Sequence, residues 1–396
     1  MKVLFRKSFP LFLLAFFCLT QARAFDSTLH KPVNASILLP LFLDSAFKYG
    51  SYQYGNTIPK YMLPALEFYN GVQMAADSLK QEGIVATIEI IDSKKANAIQ
   101  QVYREYNPVK PQMVIGVMQN AAELKQASEL ALAKKIPFIS ATYPNDGGIS
   151  SNPSLVILNS TLKTHCMALY NYLQKNYRSG NIVLCVRKGS ADDRIKNYLI
   201  EAQKLTEGEK LKWKIASLPD SFTVTQLAVY LDSNKTNTVI GASLDKNFSL
   251  HVIEHLSELK SDYNSSIFGM PTWDELPLQK KEYQGIDVYY STPFVSFSGN
   301  AAAYSAITKK FKTVANSKPS DMVFKGFEIT YRYIKTLYEN PESFWENVNN
   351  PKYKLFADFN IEMVAAKAHE SSLIKYWENN KIYFVKKTDG AIKGVY

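Results

Sequence analysis

The sequence predicts an α/β protein of two doubly wound, parallel-sheet lobes, and two observations carry the prediction. Short runs rich in Val and Ile, "ASILLPLF", "VATIEIID", "QMVIGV", "IPFIS" and "SLVILN", alternate with segments of helical period at 62–82, 94–105 and 119–135. Strands interleaved with helices in this way build a parallel sheet covered on both faces. The alternation then begins again: a helix over 162–176, "NIVLCV", a helix over 191–206, "LKWKIAS", a helix over 223–232, "NTVIGAS", a helix over 247–260, "SIFGMP" and "GIDVYYSTPF". From 299 the pattern is helical (299–315, 321–339, 342–349), and "LIKYWENNKIYFVKK" reads as a closing hairpin.

The first 24 residues read as a secretory signal peptide. Lys2, Arg6 and Lys7 precede an apolar run from Phe9 to Leu19, and Ala22-Arg23-Ala24 is a small-x-small cleavage site. The run falls well short of the roughly 20 residues of a membrane-spanning helix, and no later segment is long and uncharged enough for one. Phe16 and Phe17, where a lipoprotein has a small residue, precede Cys18. Cleavage after Ala24 is therefore expected to release a soluble protein, and a periplasmic one. The chain that remains exceeds what one core usually supports, so two lobes are the default.

The formal charge of +10 falls to +6 once Lys2, Arg6, Lys7 and Arg23 leave with the leader. The remaining lysines are scattered among acids, which reads as solubility and excludes nucleic acid as a partner. Cys166 and Cys185 survive cleavage. They are either two small buried thiols or, in an oxidising compartment, a disulfide.

Several motifs bear on chemistry. His251-Val252-Ile253-Glu254-His255 matches H-x-x-E-H, but Phe248, Val252, Ile253, Leu256 and Leu259 define the buried side of that helix. Both histidines are thus expected on the solvent face, with no third zinc ligand. Ser160-Thr161-Leu162-Lys163 matches S-x-x-K without the S-D-N or K-T-G of a three-part site. There is no G-x-S-x-G, P-loop or G-x-G-x-x-G, so neither catalysis, metal nor cofactor is expected. "FKYGSYQYGNTIPKY" places Tyr49, Tyr52 and Tyr54 between the first strand and first helix, as a lid or as inert surface. Asn34, Asn159, Asn234, Asn247 and Asn264 open N-x-S/T sequons, which carry little weight in a bacterial-looking sequence.

In open α/β sheets, ligands bind beyond the carboxyl ends of the strands, where helix N-termini present free N–H groups. In "QMVIGVMQNAAELKQASELALAKKIPFISATYPN", Val117-Met118-Gln119-Asn120 and Ser140-Ala141-Thr142 are two such ends, set side by side. Asn120 is also suited to cap the helix that follows it.

The order of "LPALEFYNGVQMAADSLKQEGI", "IEIIDSKKA", "VIGVMQNAAELKQASELALAKKIPFISATYPN", "SIFGMPTW" and "VFKGFEITYRYIKTL" resembles the type I periplasmic binding proteins, and within them the branched-chain amino-acid receptors of ABC importers. The resemblance covers nearly the whole mature chain in topology. It implies two lobes joined by three hinge crossings, lobe 1 over 33–158 plus 295–350 and lobe 2 over 159–294 plus 351–396. It also implies a monomer that closes on a small polar or amino-acid-like solute and serves an ABC permease.

Carried over by residue, the resemblance places Gln119, Asn120, Ser140, Ala141 and Thr142 on the lobe 1 side of the ligand. Ser190, Ser243, Thr272 and Trp273 fall on the lobe 2 side. Met118, Gln119 and Asn120 replace the usual carboxylate-binding serines, and no acid stands in register for an ammonium, although Asp245 and Asp274 are near. A binding-protein fold that serves as an envelope scaffold or sensor is the alternative reading.

Overall fold

The computed structural model describes residues 31–296, 299–367 and 370–395, the side chains of 190–191, 366–367 and 370–373 excepted. The expected signal peptide and cleavage site lie outside the described residues. The chain runs β1 (Val33–Leu39), α1 (Leu43–Ala46), a short hairpin of β2 (Phe47–Lys48) and β3 (Ser51–Tyr52), α2 (Leu63–Gln81), β4 (Ala86–Asp92) and α3 (Ala98–Val102). It continues with β5 (Met113–Gly116), α4 (Ala121–Lys134), β6 (Phe138–Ser140) and β7 (Leu155–Ile157).

A second series follows: α5 (Leu162–Asn176), β8 (Asn181–Arg187), α6 (Ser190–Leu205), β9 (Trp213–Leu218), α7 (Val224–Ala228), β10 (Asn237–Ala242), α8 (Lys246–Glu258), β11 (Ser265–Gly269) and β12 (Asp287–Thr292). The chain closes with α9 (Ala301–Ala315), α10 (Asp321–Glu339), α11 (Phe344–Asn347) and strands β13 (Ile361–Lys367), β14 (Glu370–Asn379), β15 (Tyr383–Thr388) and β16 (Ala391–Val395).

Two seven-stranded sheets result, ordered β13-β14-β7-β6-β5-β1-β4 and β16-β15-β12-β11-β10-β8-β9. Within each, the five parallel strands of the local series repeat one order: second, first, third, fourth, fifth. The order reverses between β1 and β5 in the first sheet and between β8 and β10 in the second. Almost every residue of β1, β5, β6, β8 and β10 is buried, as unbroken apolar runs between two helical layers require.

The final strands depart from expectation. Residues 373–387 do not form a hairpin, because β14 pairs parallel to β7 whereas β15 pairs antiparallel to β12. Residues 351–396, expected together in lobe 2, are therefore divided, with β13–β14 completing the first sheet and β15–β16 the second. Helix α10 belongs with the first lobe. Gly71 of α2 and Gly326 of α10 let the two backbones touch, since a Cβ on either would overlap the other helix's main chain.

Three crossings join the lobes: from β7 to α5, from β12 towards α9, and from β14 to β15. The first two leave from carboxyl ends of parallel strands. The third does too, since β14 runs parallel to β7, and it lands beside the end of β12, where Tyr383 is registered against Thr292. All three connect the carboxyl edges of the two sheets, so those edges face each other.

A buried polar network stitches the crossings together. The Asn379 amide donates to the Leu158 carbonyl (3.3 Å) and its oxygen accepts the N–H groups of Asn360 (3.0 Å) and Lys381 (3.1 Å). Ser160 Oγ donates to the Asn379 carbonyl (2.5 Å). Glu378 accepts from Thr161 N–H and Thr164 Oγ1, both at 2.7 Å; its burial raises its pKa. At the second crossing, His165 Nδ1 lies 2.9 Å from Ser291 Oγ, and burial pulls that imidazole down to about 3, so it stays neutral. Behind β13, Glu328 of α10 accepts the N–H groups of Leu355, Phe356 and Ala357, and its burial pushes it up to about 7.

The lobe 2 core is organised around Trp273, 1% exposed. Gly241 and Gly269 stand at matching positions of neighbouring strands β10 and β11. A Cβ on Gly241 would meet the indole at 2.6 Å, and one on Gly269 would overlap it outright. The two glycines form a flat slot that holds the ring.

Trp273→Ala empties that slot and is expected to cost about 3–5 kcal/mol in urea unfolding; unchanged stability would mean that the ring spends its time elsewhere. Asn379→Leu strands the polar groups of Asn360, Lys381 and Leu158, for an expected loss of roughly 2–4 kcal/mol in the same assay. A loss below experimental error would show that water replaces the network.

Candidate functional site

In doubly wound sheets the ligand crevice opens at the carboxyl edge where strand order reverses. Here there are two such points on facing edges. One is formed by the turns after β1 and β5, the other by the turns after β8 and β10. At each of these four turns, a carboxylate of the chain itself meets the free N–H groups or sits at the helix start.

After β1, the backbone swings through Phe42 in the left-handed region (φ 56°). The N–H groups of Leu41, Phe42 and Leu43 point at Asp92, from the end of neighbouring β4, at 3.0, 3.2 and 2.7 Å. After β5, Asn120 caps α4 by accepting the Glu123 N–H (2.9 Å), while Glu123 reaches back to the Gln119 N–H (3.1 Å). This is a capping-box arrangement shifted by one residue. Lys94 Nζ neutralises Glu123 at 2.5 Å and lies 5.4 Å above the Phe42 ring.

After β8, Arg187 collects three carboxylates: Asp192 in the first turn of α6 (2.9 Å), Asp245 (3.3 Å) and Asp220 (3.6 Å). Asp192 also accepts from Ser243 Oγ (2.7 Å), and Asp245 caps α8 at the Phe248 N–H (2.8 Å). The strongest bond, to Asp192, leads the causes that raise the Arg187 pKa further.

The residues singled out in sequence are placed unevenly. Gln119 and Asn120 are exposed at the β5 turn, and Thr142, half-buried after β6, accepts the Asn159 side-chain amide through its carbonyl (2.5 Å). Ser140 and Ala141 are buried, Ala141 donating its N–H to the Gly116 carbonyl (2.9 Å). Ser243 is buried against Asp192, and Trp273 lies in the glycine slot rather than between the lobes. Thr272 is half-buried. Ser190 opens α6 with its side chain outside the described residues.

The histidines come out differently from expectation, and the cysteines take the buried-thiol alternative. His251 and His255 do not point into solvent. They turn onto the 220–222 loop, with His251 Nδ1 3.3 Å from the Asp220 carbonyl and His255 Nε2 3.1 Å from that of Phe222. Among the described residues, no three His, Cys, Asp or Glu side chains are grouped to hold a metal. Cys166 and Cys185 are free, buried thiols, pushed up to about 12 by burial. Among the described residues no helix is long and apolar enough to cross a membrane.

The Tyr-rich loop is a small aromatic flap rooted at the β1 turn. Phe42 meets Tyr61 edge-on with centroids 4.9 Å apart, Tyr54 and Tyr61 share a hydroxyl contact of 2.9 Å, and Tyr52 bridges Phe47 and Tyr54. Tyr61 and Phe47 are each about half exposed, and Tyr49 at the tip is fully so. Sequence reasoning missed Phe42, Asp92, Lys94, Glu123, Arg187 and Asp192. Their importance follows from strand order, which puts β1 beside β5 and β8 beside β10.

No family model matches the chain, and no curated protein matches it. Solved structures do. A protein provisionally assigned to branched-chain amino acid ABC transport in Rhodospirillum rubrum superposes with a TM-score of 0.65 at 11% identity, covering 92% of this chain and 100% of its own. A branched-chain amino acid ABC transporter periplasmic ligand-binding protein of Burkholderia xenovorans LB400 gives 0.60 at 12% identity over 92% and 94%. A branched-chain amino acid transporter substrate-binding protein of Streptococcus pneumoniae, in complex with isoleucine, gives 0.52 at 14% over 92% and 99%. At these identities the likeness is one of fold, and it agrees with the sheet order and the three crossings: the chain has the type I periplasmic binding protein fold.

Proposed function

We propose that this protein is a periplasmic solute receptor, which holds a small polar molecule between its lobes and hands it to an ABC importer without catalysing any reaction. One observation carries the reading. All three crossings join carboxyl edges, so both points of strand-order reversal open onto one interlobe space, where such sheets bind ligands. The solved structures of similar fold, several described as ABC transporter substrate-binding proteins, support the same reading.

A second reading has its own support. The carboxylates at the four reversal turns are already bonded within the chain, which suits a scaffold or sensor that contacts other envelope proteins and transports nothing. Native mass spectrometry of the protein purified from its own periplasm separates the two. A defined extra mass that leaves on mild unfolding is expected. A bare mass that stays bare after soaking in a small-molecule extract of the same cells would favour the scaffold.

A further inference from the structure

We infer that the Tyr-rich flap docks on an anionic lipid surface, so that the chain works against a membrane with the mouth of its cleft close to the bilayer. Such docking is independent of which solute, if any, the cleft holds. Leu43, Phe47, Tyr49, Ile58, Tyr61 and Leu63 all stand exposed within one stretch of chain, whereas the other exposed large apolar side chains among the described residues are spread through the rest of the sequence. Ring contacts make the patch continuous, running from Phe47 to Tyr52 (5.4 Å), from Tyr52 to Tyr54 (5.7 Å), through the Tyr54–Tyr61 hydroxyl contact, and on to Phe42. A concentrated apolar surface of this kind marks a place where something binds.

The tip of the flap points the same way. Phe47 pairs with Tyr52 and Lys48 with Ser51, which leaves Tyr49 and Gly50 as the two turn residues. Both have positive φ, 51° and 79°, as a type I′ turn requires, and such a turn favours Asn and Gly. A tyrosine held there costs backbone energy, and its wholly exposed ring returns nothing through packing. The hairpin beneath it is firmly seated, with the Gln53 N–H donating to the Ala46 carbonyl (2.8 Å) and the Tyr52 hydroxyl to the Thr57 carbonyl (2.8 Å). The ring is therefore carried out from the body on a fixed stalk.

Charge selects the occupant. No carboxylate occurs between residues 45 and 66, while Lys48 and Lys60 are exposed and Lys95 is exposed on the turn after β4, which lends Asp92 to the flap's root. Among the described residues none of these three lysines is in an ion pair, and the exposed Asp44 is the acid that stands nearest to them in sequence. Two such patches brought together would set lysine against lysine, which disfavours a second copy of the chain. Tyrosine and phenylalanine rings flanked by lysines suit the headgroup layer of an anionic bilayer, where the rings enter the interface and the ammonium groups meet lipid phosphates. The formal +6 of the chain without its leader adds a general attraction to the same surface.

Flotation of the mature full chain with protein-free vesicles tests this, comparing phosphatidylglycerol–phosphatidylethanolamine with phosphatidylcholine alone. Binding to the anionic vesicles is expected, weakened at least tenfold in Phe47→Ser/Tyr49→Ser and again in Lys48→Glu/Lys60→Glu, and lowered by salt. Tyr106→Ser, which removes another exposed ring away from the flap, should bind as the parent does. All three variants alter exposed side chains, so an unchanged urea midpoint verifies that each is folded. Absence of binding to anionic vesicles would overturn the inference and leave the flap to the cleft. Binding that survives both double substitutions would overturn it as well, showing adsorption by net charge alone. Binding to native inner-membrane vesicles but not to protein-free ones would replace the lipid surface with a membrane protein.

Discussion

The side chain of Asn379 is the contact on which the rest of the molecule turns. It has no solvent exposure and ties the end of β14 to the backbone after β7 and to the residues that lead into β13 and β15. Ser160 and Glu378 fasten the first crossing to the same strand. Three separate crossings would let two lobes swing in many directions. The first and third are bonded through one buried node, and the end of β12, where the second begins, meets α5 separately through His165 and Ser291. Buried polar groups that are fully paired are costly to rearrange, which fixes these crossings relative to one another.

With the edges fixed, the strand order decides the location of the site. The strands farthest from the hinge are β4 and β9, then β1 and β8, so the Phe42 flap and the Arg187 cluster sit towards the mouth of the cleft. Thr142 and Thr272 follow β6 and β11, next to the hinge. The two walls are built alike, each with carboxylates set against the N–H groups or helix starts of its reversal turns and a cation set against the carboxylate. Such self-pairing stabilises the loops without a ligand.

Much of this was legible in the sequence. Helices α5 and α10 begin and end where their periodicity does, and the apolar runs mark the ten main parallel strands, most clearly β1, β5, β6, β8 and β10, where burial on both faces leaves a continuous apolar signature. The closing strands were not legible. Residues 373–387 have the alternation of a hairpin, yet β14 joins its sheet through β7 and β15 joins its own through β12, strands that lie far back in the chain, and local pattern holds no record of such distant pairing. Trp273 misled for a related reason. It follows a strand end, as a ligand-binding aromatic would, but the two glycines that make its slot, Gly241 and Gly269, become neighbours only once β10 and β11 pair. Asp92 and Arg187 sit in no local motif, and their roles arise from the placement of β4 beside β1 and of β8 beside β10.

The facing of the two carboxyl edges is the central claim, and a cysteine cross-link tests it most directly. Gln119 and Lys188 are exposed at the ends of β5 and β8 on opposite walls, while Cys166 and Cys185 are buried with poorly ionised thiols and form a silent background. Mild oxidation of a Gln119→Cys/Lys188→Cys chain should form an internal disulfide as the lobes close, faster in the presence of a bound solute. Failure to cross-link, with and without a small-molecule extract of the cells, while both thiols remain reactive to a soluble reagent, would contradict the opposed edges and the cleft built on them.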